Sequence, residues 1–164
     1  AVMILPTLTI MQPYASLLAN GKKRFETRYR RTSKRGLVAI HAGRGQYAPP
    51  TDEAQEKYFE LIRQSKELTG ISFPCLPRGY IVGVAQLVAC EYIIDANEER
   101  AILTDKRNPE SGVMEIRGEE LQFGDFRKGR YAWIFENFFA APEPIAALGK
   151  QGWWKTEVPD GWGK

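Results

Sequence analysis

The sequence predicts an α+β fold, a small mixed β-barrel, on three observations. Segments of strand character recur along the chain, two helix-like segments are interposed between them, and neither an internal repeat nor a low-complexity run breaks the pattern. At 164 residues the chain is long enough to bury a core of its own, so one domain over 1–164 is expected, with the Trp-rich tail 150–164 packing on it.

Leu8 to Ile10 reads as a short strand ended by Gln12-Pro13. Pro13 suits the first turn of a helix through Asn20, which Gly21 closes as a C-cap. Phe25 to Tyr29 alternates, with Phe25, Thr27 and Tyr29 on one face and Glu26, Arg28 and Arg30 on the other. Leu37 to Ala42 is almost continuously apolar, as a core strand is. Thr51 is the expected N-cap of a helix reaching about Leu68. Tyr80 to Cys90 is the longest strand candidate, and Gly83 inside it marks a bulge or a close backbone approach. Residues 93–122 read as acidic and loop-like, with a helical turn around Asn97 to Leu103. Arg130 to Ala140 is an aromatic-rich strand, in which Tyr131, Trp133 and Phe135 alternate at core spacing.

Composition narrows the function. Hydrophobic residues are 43% and charged residues 26%, which is globular and not disordered material. No run approaches the ~18 apolar residues of a membrane span, and the AVMIL start lacks a signal peptide's length and flanks. A cytoplasmic monomer is expected, with Cys75 and Cys90 as buried, reduced thiols. His41, the one histidine, sits in an apolar strand with no ligand at useful spacing, so no metal and no cofactor is expected.

The charge is local. Gly21 to Gly36 reads GKKRFETRYRRTSKRG, with eight Lys and Arg against Glu26 alone, a net +7. The whole chain carries +3, which leaves −4 elsewhere. One basic locus implies one anionic partner: phosphate, nucleotide or a nucleic-acid strand. A carboxylate inside such a locus needs a reason of its own.

Five segments, LTIMQPYASLLANGKKRFETR, RGLVAIHAG, PRGYIVGVAQLVAC, FGDFRKGRYAWIFENF and EPIAALGKQGWW, occur in an order that resembles the ASCH domains, a branch of the PUA-like β-barrels. The family's Gly-x-Lys-x-x-Glu-x-Arg signature falls on Gly21, Lys23, Glu26 and Arg28. The resemblance implies a barrel with helices flanking its openings, and a cleft beside the first helix that holds these residues. It also implies RNA or nucleoside chemistry, because the family includes RNA-binding modules, ribonucleases and a branch that hydrolyses N4-acetylcytidine. That branch uses a Lys and a Thr of the motif with a Glu further along. The Lys falls on Lys23, Glu26 stands at the Thr position, and Thr27 is adjacent on the opposite strand face.

Lys23 and Glu26 form the candidate catalytic pair, Lys23 to polarise a carbonyl or hold phosphate and Glu26 to accept a hydrogen bond or act as base. Arg28 and Arg35 offer planar forks for phosphate or a base edge, with Arg30, Arg31 and Lys34 as the outer electrostatic approach. Gln12 and Tyr14 open the first helix, Tyr14 as a stacking candidate. The expected function is binding of RNA, single-stranded nucleic acid or a modified nucleoside. The alternatives are a metal-independent hydrolase acting on RNA or N4-acylated cytidine, and an adaptor whose basic patch meets an acidic protein.

Overall fold

A computed structural model describes residues 1–108, 110 and 112–163. Among these residues eight strands form one mixed sheet: β1 Val2–Ile10, β2 Phe25–Arg28, β3 Gly36–Ala42, β4 Tyr80–Ala96, β5 Arg100–Thr104, β6 Val113–Arg117, β7 Tyr131–Ala146 and β8 Trp154–Pro159. Three α-helices, α1 Tyr14–Ala19, α2 Asp52–Arg63 and α3 Ser65–Thr69, complete the α+β class the sequence predicts. The hydrogen-bonded order is β2-β7-β4-β3-β1-β8, with β5 joined to β4 and β6 to β5. Among the described residues this path is open, ending at β2 and β8.

The chain divides into two compact units, 1–22 with 37–85 and 137–164, and 23–36 with 86–136. In the first unit β3 lies between β1 and β4 and pairs parallel with β1, Thr7 facing Ala39 and Ile10 facing Ala42. Val38 to Ala42 are all buried, so both faces of β3 are covered, as the nearly continuous apolar run predicts. The tail supplies β8, antiparallel to β1 from Val2↔Pro159 to Thr7↔Trp154, and Trp162 packs on Phe139 at 5.6 Å. The apolar start is therefore strand, and β1 is longer than Leu8 to Ile10.

Two glycines of this unit sit where only glycine fits. Gly21, at φ +83°, turns the chain out of α1. A Cβ on Gly83 would stand 2.3 Å from the Phe139 carbonyl oxygen and 2.9 Å from the Ala19 Cβ. The sequence's close backbone approach at Gly83 is real. The expected N-cap is also present, the Thr51 hydroxyl accepting from the Ala54 N–H at 3.1 Å. The helix it starts stops at Arg63 and not near Leu68, because a short second helix begins at buried Ser65, whose hydroxyl donates to the Ile71 carbonyl at 2.8 Å.

The second unit corrects the reading of 93–122. β4 continues to Ala96, and Asn97 makes a hairpin turn: its side chain accepts from the Glu99 and Arg100 N–H groups at 2.8 and 3.0 Å. What reads as a helical turn at Asn97 to Leu103 is this turn followed by β5, in which Ala101 and Leu103 point inward. β6 pairs antiparallel with β5, and a 3-10 helix spans Gly118–Phe123.

Candidate nucleic-acid interface

The motif lies on β2, which pairs antiparallel with β7 in the register Phe25↔Ile134, Glu26↔Trp133, Thr27↔Ala132 and Arg28↔Tyr131. Alternation sends Phe25 into the core of the second unit, its ring 6.2 Å from Phe126 in an edge contact. Thr27 accepts from the Asp125 N–H at 3.0 Å. Glu26 and Arg28 share the other face with Trp133.

Lys23 is the first member of the candidate pair. It is 1% exposed. Its Nζ donates to the Phe123 carbonyl at 2.7 Å and to the Phe25 carbonyl, and lies 3.4 Å from Glu26 Oε1. Three acceptors match the three N–H groups of an ammonium. Burial pulls its pKa below the ordinary lysine value, against the opposing carboxylates of Glu26 and Glu120.

Glu26 is the other half of the arrangement, 8% exposed, with Oε2 accepting from Arg28 Nε at 2.9 Å. Burial alone would raise its carboxyl, but Lys23 and Arg28 outweigh it and hold the group below the usual glutamate range. The carboxylate is thus clamped between two cations. Arg28 in turn lies over the Trp133 ring at 5.5 Å with a third of its side chain exposed, and Trp133 Nε1 donates to the Arg30 carbonyl at 3.0 Å. The buried, core-spaced Trp133 therefore braces both Arg28 and the chain that follows it.

Sequence reasoning missed Glu120. It accepts from the Arg24 N–H at 3.0 and 3.3 Å, and burial holds its carboxyl above the ordinary value despite the charge of Lys23. Its 3-10 helix also supplies the Phe123 carbonyl that receives Lys23. Residues about a hundred positions apart leave no spacing signal, so only the fold reveals this contact.

The family model of the ASCH domain matches residues 8–141, most of the chain and all of the motif. The chain belongs to the ASCH domain family. The crystal structure of ASCH from Zymomonas mobilis aligns with it at a TM-score of 0.48 and 14% identity, over 94% of this chain and 87% of that one. No curated protein matches the sequence.

Beyond the motif, the basic arm of this ASCH domain runs along the surface. Arg30 is exposed, its guanidinium 5.1 Å over the Tyr29 ring, and Arg31 is half-buried. Lys34 is exposed, its N–H donating to the Thr32 hydroxyl at 3.1 Å. Arg35 spends one nitrogen on the carbonyls of Thr32 and Lys34, at 3.1 and 2.6 Å, so it ties the arm to itself.

Gln12 and Tyr14 belong to the first unit. Gln12 is buried, and its amide donates to the Ser16 hydroxyl and the Pro77 carbonyl at 2.8 Å each, while accepting from the Ser16 N–H at 3.1 Å. Tyr14 packs among Tyr47 and Tyr58, with ring centroids 5.6 and 6.3 Å away. Both are used locally in holding α1 and its neighbours.

His41 is the satisfied core histidine that the apolar strand predicts. Its Nε2 lies 2.8 Å from the Ala147 carbonyl, so that nitrogen carries the proton and donates. Nδ1 is 3.2 Å from the Thr9 hydroxyl, and burial lowers its pKa. Both cysteines are free thiols, Cys90 buried as expected but Cys75 exposed, because it ends a short 3-10 turn that has no buried residue. Among the described residues no group of three or more His, Cys, Asp and Glu is placed to hold a metal ion, and no helix is long and apolar enough to cross a membrane.

Proposed function

We propose that this ASCH domain binds RNA, or a modified nucleoside presented by RNA, through Arg28 and the basic arm 30–35. The observation that carries the proposal is the division of charge within the motif. Lys23 and Glu26 are buried against each other and the backbone, whereas Arg28, Arg30, Lys34 and Arg35 reach solvent. The sunken pair is scaffold; the outward cations meet the anion.

Arg28 is the central contact. Its Nε is held by Glu26 and its plane lies over Trp133, so the guanidinium is oriented before a ligand arrives. A pre-oriented side chain loses less freedom on binding, and its fork suits a phosphate or an acceptor edge of a base. The arm supplies the longer-range attraction that draws a polyanion in.

A hydrolase acting on RNA or on an N4-acylated cytidine is the second reading, and Glu120 is what favours it. Glu120 is held above its ordinary pKa and Glu26 below it, with Lys23 paired to one and acting on the other. Two carboxyl groups pushed apart in this way are the raw material of acid–base catalysis.

Two measurements test the proposal together. Charge reversal of Arg30, Arg31 and Lys34 should weaken binding of a labelled RNA oligonucleotide and flatten the log–log salt dependence by about 0.7 for each phosphate no longer neutralised. An unchanged slope would sink the binding reading. Turnover of RNA or N4-acetylcytidine by the wild type, abolished by Glu120→Gln while binding persists, would put the hydrolase in its place.

A further inference from the structure

We propose that Tyr29 is a stacking platform for an unpaired nucleobase, so that this domain takes single-stranded nucleic acid in preference to a duplex. The inference rests on the nucleic-acid reading above and deepens it by naming the form of the ligand. Among the described aromatic residues Tyr29 is the most exposed, at 67%, and it sits inside the most basic stretch of the chain.

Three features make this ring more than a solvated tyrosine. Arg30 lies over it at 5.1 Å, a cation–π contact that helps set the ring's orientation. The backbone on either side is anchored: Arg28 is in the ladder with Tyr131, and the Arg30 carbonyl accepts from Trp133 Nε1 at 3.0 Å. Arg28, Arg30 and Arg31 flank Tyr29 in sequence and Arg30 lies over its ring, so a base stacked there would bring its phosphates near at least that cation.

The chemistry selects the ligand. Bases in a duplex stack on one another and offer no free face, whereas an unpaired base gains by covering an exposed aromatic ring. Every base has such a face, so the platform tolerates sequence. An anchored ring loses little freedom when the base arrives.

The test compares wild type with Tyr29→Ala, Tyr29→Phe and Tyr29→Trp. Fluorescence anisotropy is followed across a salt series with labelled single-stranded RNA, single-stranded DNA and an RNA duplex of equal length. Tyr29→Ala should bind the single strands about 5- to 150-fold more weakly, the range for removing one base–aromatic stack, with the salt slope unchanged because no cation is removed. Phe and Trp should retain the affinity, duplex binding should stay as it was, and intrinsic fluorescence of Tyr29→Trp should be quenched by the single strands beyond the wild-type change. Preference of the wild type for RNA or for DNA names the source of the base. Wild type that binds while Tyr29→Ala binds equally well overturns the stacking alone, as does a Phe variant as weak as the Ala one. Wild type that binds none of the three at low salt brings down the nucleic-acid reading and the platform with it.

Discussion

Replacing Glu26 by glutamine keeps the shape of the side chain and removes the one negative charge that Lys23 and Arg28 share. Lys23 Nζ lies 3.4 Å from that carboxylate, an attraction of about 5 kcal/mol at an effective dielectric of about 20. Arg28 is closer, at 2.9 Å, but a third exposed, so its share falls toward the water-like value of about 1.4 kcal/mol. Burying the charges offsets part of both gains, and what remains is the cost of leaving the Lys23 ammonium in the interior without its paired carboxylate, facing only the weaker attraction of Glu120. For a broken buried pair that cost is about 3–5 kcal/mol. Urea unfolding followed by tryptophan fluorescence should show a loss of this size for Glu26→Gln. Lys23→Met should also be costly, because it strips the donor from the Phe25 and Phe123 carbonyls. The double variant should lose less than the sum of the two, with a coupling of about 0.5–3 kcal/mol. A loss below about 1 kcal/mol for Glu26→Gln, or strict additivity in the cycle, would refute the view of Lys23 and Glu26 as one buried unit.

Two further expectations concern the first unit. Burial holds the His41 pKa below its ordinary value, so the unfolded chain takes up a proton near pH 6.5 that the folded ring resists. The associated stability is complete above that pH and is lost as the pH falls from about 6.5 to the lower folded value, at no more than about 1.4 kcal/mol per pH unit. In His41→Gln the difference in urea midpoint between pH 7.5 and pH 5 should shrink; an identical difference would mean that His41 titrates normally. Gly83→Ala should cost about 1–3 kcal/mol or more, because the new Cβ meets the Phe139 carbonyl oxygen at 2.3 Å, and an unchanged melting temperature would deny that close approach.

The elements legible in the sequence are those whose burial follows one simple period. β3 is covered on both faces and reads as a solid apolar run, and the Thr51 cap announces α2. β6 shows the opposite case: of its five residues only Ile116 is buried, so no alternation marks it. β5 does alternate, but it is short and follows the acidic turn Asn97 to Glu99, whose composition dominates the local signal. The site is legible in part for a similar reason. The strand period places Glu26 and Arg28 on one face, and the register with β7 bears that placement out. The burial of Lys23 depends on the Phe123 carbonyl, which belongs to a segment with no period of its own. Surface lysines are the rule, and a buried one is legible only through its distant acceptors.

The lone carboxylate in the basic run then has a physical account that does not require it to touch the ligand. Glu26 and Lys23 form a nearly neutral pair, 3.4 Å apart and out of water. A neutral pair has a field that falls off faster than that of either charge, and at physiological salt exposed charges are screened within about 8 Å. On the proposed reading, a phosphate approaching the arm would therefore meet its outward cations and little of Glu26. Left alone, the same carboxylate would repel that phosphate by about 1–4 kcal/mol at 4 Å, between water-like and intermediate dielectric. Lys23 removes most of that penalty by pairing with Glu26 Oε1, while Oε2 remains available to hold Arg28 Nε. The consequence runs through both partners of the pair. Lys23→Met, although it removes a positive charge from the interior, should weaken polyanion binding by leaving Glu26 compensated by Arg28 alone. Glu26→Gln should strengthen binding of a generic polyanion such as heparin while loosening the orientation of Arg28. Opposite signs for the two variants in one polyanion titration are the expected outcome; equal signs would mean that the pair is electrostatically remote from the ligand and serves the fold alone.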